Sequence, residues 1–136
     1  MRSAAVRSVI DASALLALLF DEPGAETVAD AIADGAAISA VNVSEVATVL
    51  VRRNLDAEAI LSPVSAQVLI ESFAVVDALA AAALYTHTAR SGLSLGDRAC
   101  LALAKRLKTP AVTAEQAWSQ LDVGIAVILI RVAAKR

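Results

Sequence analysis

The feature that most constrains this chain is Val6-Arg7-Ser8-Val9-Ile10-Asp11-Ala12-Ser13, a short β-branched run that ends in a carboxylate and passes directly into Ala14-Leu15-Leu16-Ala17-Leu18-Leu19-Phe20. Such a run favours a strand, and the Ala/Leu block after it favours a helix buried on most sides. Asp11 therefore ends a strand and precedes a helix. In a parallel sheet that edge is where loops and helix N-termini converge on a ligand crevice. What the chain does then depends on whether other acids return to the same edge.

The remaining 120 or so residues repeat the alternation. Val28, Ala29 and Ile32 mark a short helix ended by Asp34-Gly35. Ala36 to Val41 reads as a second strand, and Asn42-Val43-Ser44-Glu45 opens a helix that stops near Arg53-Asn54. Asp56 to Ile70 is helical in composition, with Ser62-Pro63 as either a kink or a break. Phe73-Ala74-Val75-Val76 reads as a third strand, followed by an Ala-rich helix from Asp77 to Arg90. Ser94 to Leu107 is a further helix, Pro110 to Thr113 a fourth strand, Glu115 to Leu121 a short helix and Ala126 to Ile130 a fifth strand. Strands separated by helices predict an α/β fold, a parallel sheet of about five short strands with helices on both faces. The 136 residues suit one domain, 1–136.

Composition narrows the setting. Hydrophobic residues make up 58 % and charged residues 19 %, with 3 % aromatics, so an Ala/Val/Leu core is expected and some apolar surface should be covered by a partner. The net charge of -2 offers no general attraction for nucleic acid. Arg2 and Arg7 before an apolar run imitate an export signal, but Asp11 interrupts the run and Asp21-Glu22-Pro23 replaces the small residues of a cleavage site. No uncharged stretch approaches the roughly 18 residues of a membrane span. The single Cys100 excludes an internal disulfide and suits a reducing compartment, so the chain reads as cytoplasmic, with Cys100 a small core residue.

Four acids share one kind of position. Asp11 follows the first strand, Glu45 the second and Glu115 the fourth, while Asp97 opens the helix before the fourth. Any one of them could be a helix cap, and Asn42/Glu45 and Ser94/Asp97 both have capping-box spacing. Their faces argue otherwise: Asp97 shares one with Cys100, Leu101 and Ala104, and Glu45 shares one with Val49. Like charges directed toward a core need a cation, and an all-oxygen set suits Mg²⁺ or Mn²⁺. Ions so held serve phosphodiester cleavage. His87 is the only histidine, and no phosphate-cradling glycine loop, serine triad or zinc spacing is present.

Four motifs carry a family resemblance: Val9-Ile10-Asp11-Ala12-Ser13, Ser44-Glu45-Val46, Leu93 to Ala104 with Gly96-Asp97-Arg98 inside it, and Val112-Thr113-Ala114-Glu115. Through them the chain resembles the PIN-domain ribonucleases, most closely the VapC toxins of bacterial toxin–antitoxin pairs. The resemblance implies that Asp11, Glu45 and Asp97 form an acidic metal-holding triad and that Ser13 and Thr113 line its pocket. Glu115 departs from the family's usual Asp, which bears on a second metal position. The resemblance also implies a cognate antitoxin, an RNA substrate and a homodimer. Arg98, beside Asp97, is a candidate for RNA phosphates; Arg52-Arg53, Lys105, Arg106 and Lys108 fit solvated helix ends, and Trp118 fits packing. Two rival readings share the fold class. One is a receiver-type phosphoacceptor domain using Asp77 and Thr113; the other is a non-catalytic PIN-fold module whose site has decayed at Glu115.

Overall fold

The computed structural model describes residues 5–132, so Arg2 and the last four residues lie outside it. It is a five-stranded, wholly parallel sheet in the order β3-β2-β1-β4-β5: β1 Ser8–Ile10, β2 Ala36–Ser39, β3 Leu69–Glu71, β4 Ala111–Thr113 and β5 Val127–Leu129. The helices are α1 Ala12–Leu19, α2 Ala25–Gly35, α3 Ala40–Arg52, α4 Ala57–Ser65, α5 Val75–Ala83, α6 Tyr85–Thr88 and α7 Leu95–Leu107, with 3₁₀ turns at Ala89–Ser91 and Gln116–Gln120. The receiver order is 2-1-3-4-5. The order found here therefore excludes that rival.

Two cores cover the sheet. On one face Ile10, Ile38 and Val112 pack with Ala14, Leu15, Val28, Val46 and Leu50 from the first helices. On the other, Val9, Ala37 and Ala111 meet Ala81, Leu101 and Trp118. Burial on both faces explains why the strands read as unbroken apolar runs. Trp118 is buried in packing and His87 is exposed, as expected from the sequence. Among the described residues no helix is long and apolar enough to cross a membrane.

Three boundaries differ from the sequence reading, and in each a hydrogen bond outweighs propensity. The Ser39 hydroxyl accepts from Val41 N (3.2 Å), so α3 begins at Ala40 and Val41 is helical rather than extended. The third strand is Leu69–Glu71, not Phe73 to Val76, because the Asp77 carboxylate accepts from Ala74 N (2.9 Å) and starts α5 there. Asp77 consequently sits in a helix's first turn and pairs with Arg106 at 3.2 Å. The Ala-rich helix divides after Ala83, where Thr88 donates back to the Leu84 carbonyl (2.9 Å), a bond that bends helices. At Ser62-Pro63 there is no break, since α4 passes through Pro63 and ends at Ser65.

The strand order places a switch point at β1 and β4: the chain leaves β1 to one side for β2 and β3, then returns to the other side for β4. Asp11 and Thr113 stand at the carboxyl ends of these two strands. A crevice for a ligand is expected there.

Candidate functional site

Asp11 is the N-cap of α1 and is 2 % exposed. Its Oδ1 accepts from Ala14 N and from the Ser13 hydroxyl, both at 2.8 Å, and its Oδ2 accepts from the Thr113 hydroxyl at 2.6 Å. Each hydroxyl has one proton to give, and each gives it to Asp11. Their oxygens accept in turn from the backbone: Ala114 N donates to Ser13 Oγ (2.9 Å) and Glu115 N to Thr113 Oγ1 (3.0 Å). The turn after β4 is thereby wired through two hydroxyls to one carboxylate. Oδ2 keeps one lone pair free. Burial nevertheless dominates and pushes the Asp11 carboxyl up to about 6, with the Asp97 charge adding to it and the three donors opposing it.

Asp97 and Glu45 approach from the α7 and α3 side. Ser94 and Asp97 form the expected capping box: Asp97 N donates to Ser94 Oγ (3.2 Å) and Ser94 N to Asp97 Oδ2 (2.9 Å). One Asp97 oxygen remains outside the box. Glu45 is half-buried in the second turn of α3, held by Asn42, whose Nδ2 donates to Glu45 Oε1 (2.7 Å) and to the Gly96 carbonyl (3.0 Å). Asn42 is thus no helix cap, as its spacing to Glu45 suggests, but a buried clamp between α3 and the first turn of α7. Its Oδ1 is buried and has no hydrogen-bond partner among the described residues. Gly96 leaves room for the same contact, because a Cβ there would displace the Glu45 carboxylate.

The charges of the three acids are felt at one further group. Cys100, one turn beyond Asp97, is fully buried, and burial pushes its thiol up, with Asp11, Asp97 and Glu45 all adding to the effect. Asp11, Glu45 and Asp97 therefore come from three separated positions to one locale. Glu115 is exposed and reaches this region through its backbone N–H, its carboxylate making no hydrogen bond among the described residues. Arg98 is half-buried and turned toward α5: one guanidinium N–H donates to the Ala81 carbonyl (3.1 Å), the group lies 5.6 Å from the Tyr85 ring, and its Nε is unpartnered among the described residues.

The donor set is entirely oxygen, with a free lone pair on Asp11 and free oxygens on Asp97 and Glu45, which fits a hard divalent cation. Among the described residues no three acidic, histidine or cysteine side chains stand close enough to close a ligand shell by themselves. Water would complete it, as is usual for Mg²⁺. Sequence reasoning missed Asn42 and Gly96. The signal for Asn42 is its three-residue spacing to Glu45, which reads as a capping box only if the helix starts at Asn42 rather than at Ala40.

Comparison with known proteins gives a consistent result. A family model described as PIN domain matches residues 8–124. No curated protein matches the sequence. Among solved structures, a toxin-antitoxin complex from Klebsiella pneumoniae contains a chain similar to this one with a TM-score of 0.71 at 20 % identity, over 91 % of this chain and 98 % of that chain. DNA-bound VapBC from Salmonella typhimurium gives 0.70 at 14 % identity, over 93 % and 99 %. VapBC-5 of Mycobacterium tuberculosis, a member of the VapBC family of toxin-antitoxin systems, gives 0.62 at 24 % identity, over 93 % and 99 %. At these identities the likeness is one of fold.

Proposed function

The chain belongs to the PIN domain family, and from that premise we propose that it is the nuclease toxin of a toxin–antitoxin pair, cutting RNA with Asp11, Glu45 and Asp97 holding Mg²⁺ or Mn²⁺. The observation that carries this reading is the clamp of Asn42, which ties the Glu45 carboxylate to the backbone beside Asp97, whose charge is felt at Asp11. A protein with no use for a cation would gain nothing from keeping three carboxylates in one partly buried place.

When bound, a divalent cation supplies neutralisation of phosphate charge and a water of lowered pKa. The chain's own residues prepare for this. Ser13 and Thr113 line the pocket and keep Asp11 ionised by donating to it, so that its remaining lone pair is presented at a fixed angle. Ser94 holds one Asp97 oxygen and leaves the other outward. Asn42 does the same for Glu45. Glu115, exposed beside Thr113, is the candidate for a second metal position, and Arg98, next to Asp97 in the chain, the candidate for an RNA phosphate. Hydrolysis by water needs no 2′-hydroxyl, so the products carry 5′-phosphate and 3′-hydroxyl ends.

The antitoxin and the homodimer belong to the same reading, supported by large apolar side chains left exposed: Leu69 and Ile70 on the edge strand, Val75, Val76 and Leu79 on α5. The test is incubation of the purified, antitoxin-free protein with a mixed cellular RNA pool and Mg²⁺ or Mn²⁺. Discrete fragments with 5′-phosphate ends, lost with EDTA and in Asp97→Asn, are expected. Fragments ending in 2′,3′-cyclic phosphate, or full activity in Asp97→Asn, would refute the mechanism, and intact RNA together with no Mn²⁺ binding would favour the non-catalytic module.

A further inference from the structure

A cavity lies apart from Asp11, Glu45 and Asp97. It has a volume of about 550 Å³ and is walled by one stripe of α2, namely Thr27, Asp30, Ala31 and Asp34, and by Arg7, with Val112 and Ile128 of the sheet as its floor. Side-chain alternation places Ser8, Ile10, Val112 and Ile128 on the same face of the sheet. Three properties of this groove are unusual. Ile128 is 41 % exposed, although strands of a parallel sheet are normally covered on both faces. Ser8 is 5 % exposed and lines the cavity, yet its hydroxyl has no hydrogen-bond partner among the described residues. Finally, α2 repeats an acid every fourth residue, Glu26, Asp30 and Asp34, and contains no basic residue. Like charges at that spacing destabilise a helix. Among the described residues the cation recorded against them is Arg7, 3.9 Å from Asp34, with both side chains largely exposed.

We propose that this groove is the docking site of a basic, amphipathic segment of a partner protein. Apolar side chains of that segment cover Ile128, arginine or lysine neutralises Asp30 and Asp34, and one backbone or side-chain polar group meets the Ser8 hydroxyl. The charge argues against RNA, since a polyanion is repelled by three aligned carboxylates. The site is also separate from the nuclease reading, because Ser8 opens β1 and Asp11 follows its end, roughly 10 Å along the strand.

The probe is a short fluorescein-labelled peptide alternating leucine and arginine, titrated with the full chain and followed by anisotropy. An arginine–serine peptide of equal charge and a short RNA serve as competitors. Asp30→Asn with Asp34→Asn is expected to weaken the leucine–arginine peptide about tenfold, two charge-assisted contacts being lost. Relief of like-charge repulsion keeps that variant folded. Ser8→Ala is expected to weaken binding by about fivefold, the contribution of one hydrogen bond, while Asp97→Asn binds as the wild type does. Equal affinity for the arginine–serine peptide would reduce the groove to surface charge and overturn the proposal. So would wild-type affinity in the double aspartate variant, displacement of the peptide by RNA, or loss of binding in Asp97→Asn.

Discussion

At the scale of single residues, Asp11 carries the largest stored cost. Its carboxyl ionises at about 6 in the folded chain against an ordinary 3.8, so the unfolded chain gives up its proton first. Above pH 6 the native state holds a buried charge, at a cost of about 3 kcal/mol. That penalty fades as pH falls through 6 and is gone below about 4. Urea unfolding of the metal-free protein is therefore expected to show a gain in stability between pH 7 and pH 5 relative to Asp11→Asn, whose profile lacks this component; parallel profiles would contradict the assignment. Asn42 is a different case, since it stabilises an arrangement rather than a fold. Asn42→Ala removes both donated bonds and is expected to lower Mn²⁺ affinity and RNA cleavage by 10- to 100-fold, about the usual effect of deleting a group that orients a ligand. The measurement is Mn²⁺ titration beside a thermal melt, with the melt shifting by a few degrees at most.

At the scale of elements, α7 brings the site together. It holds Asp97 in its first turn, receives Glu45 against Gly96, and buries Cys100 and Leu101 under the sheet. Gly96→Ala is expected to abolish cleavage with the fold retained, because the new methyl displaces the Glu45 carboxylate; an active Gly96→Ala protein would separate Glu45 from the site. Much of this was legible in the sequence. Asp11 at a strand end, the Ser94/Asp97 capping box and the parallel α/β order all follow from residue patterns, since each depends on neighbours within about one helical turn. The third strand and the start of α3 did not, because Asp77 and Ser39 overrule the β preference of adjacent valines through single bonds. The Asn42–Gly96 contact spans 54 positions, and no local pattern encodes it.

At the scale of the whole molecule, apolar surface is distributed unevenly. Val75 is 76 % exposed and Leu79 67 %, on a helix that buries only Ala81. If this face joins two copies, Val76→Lys with Leu79→Lys should convert a dimer to a monomer in sedimentation velocity; a wild type already monomeric at high concentration would remove the homodimer from the reading. The interior holds a different opportunity. Cys100 is the chain's one thiol, sealed from solvent and kept protonated by that burial and, in addition, by its acidic surroundings. A thiol reagent can reach it only in molecules that have come open, so its labelling rate is a clock for opening. A cation settling on the three carboxylates must slow that clock, about tenfold for each 1.4 kcal/mol it contributes. The residue with no part in the chemistry thus reports, without any engineered label, how tightly the centre is held shut.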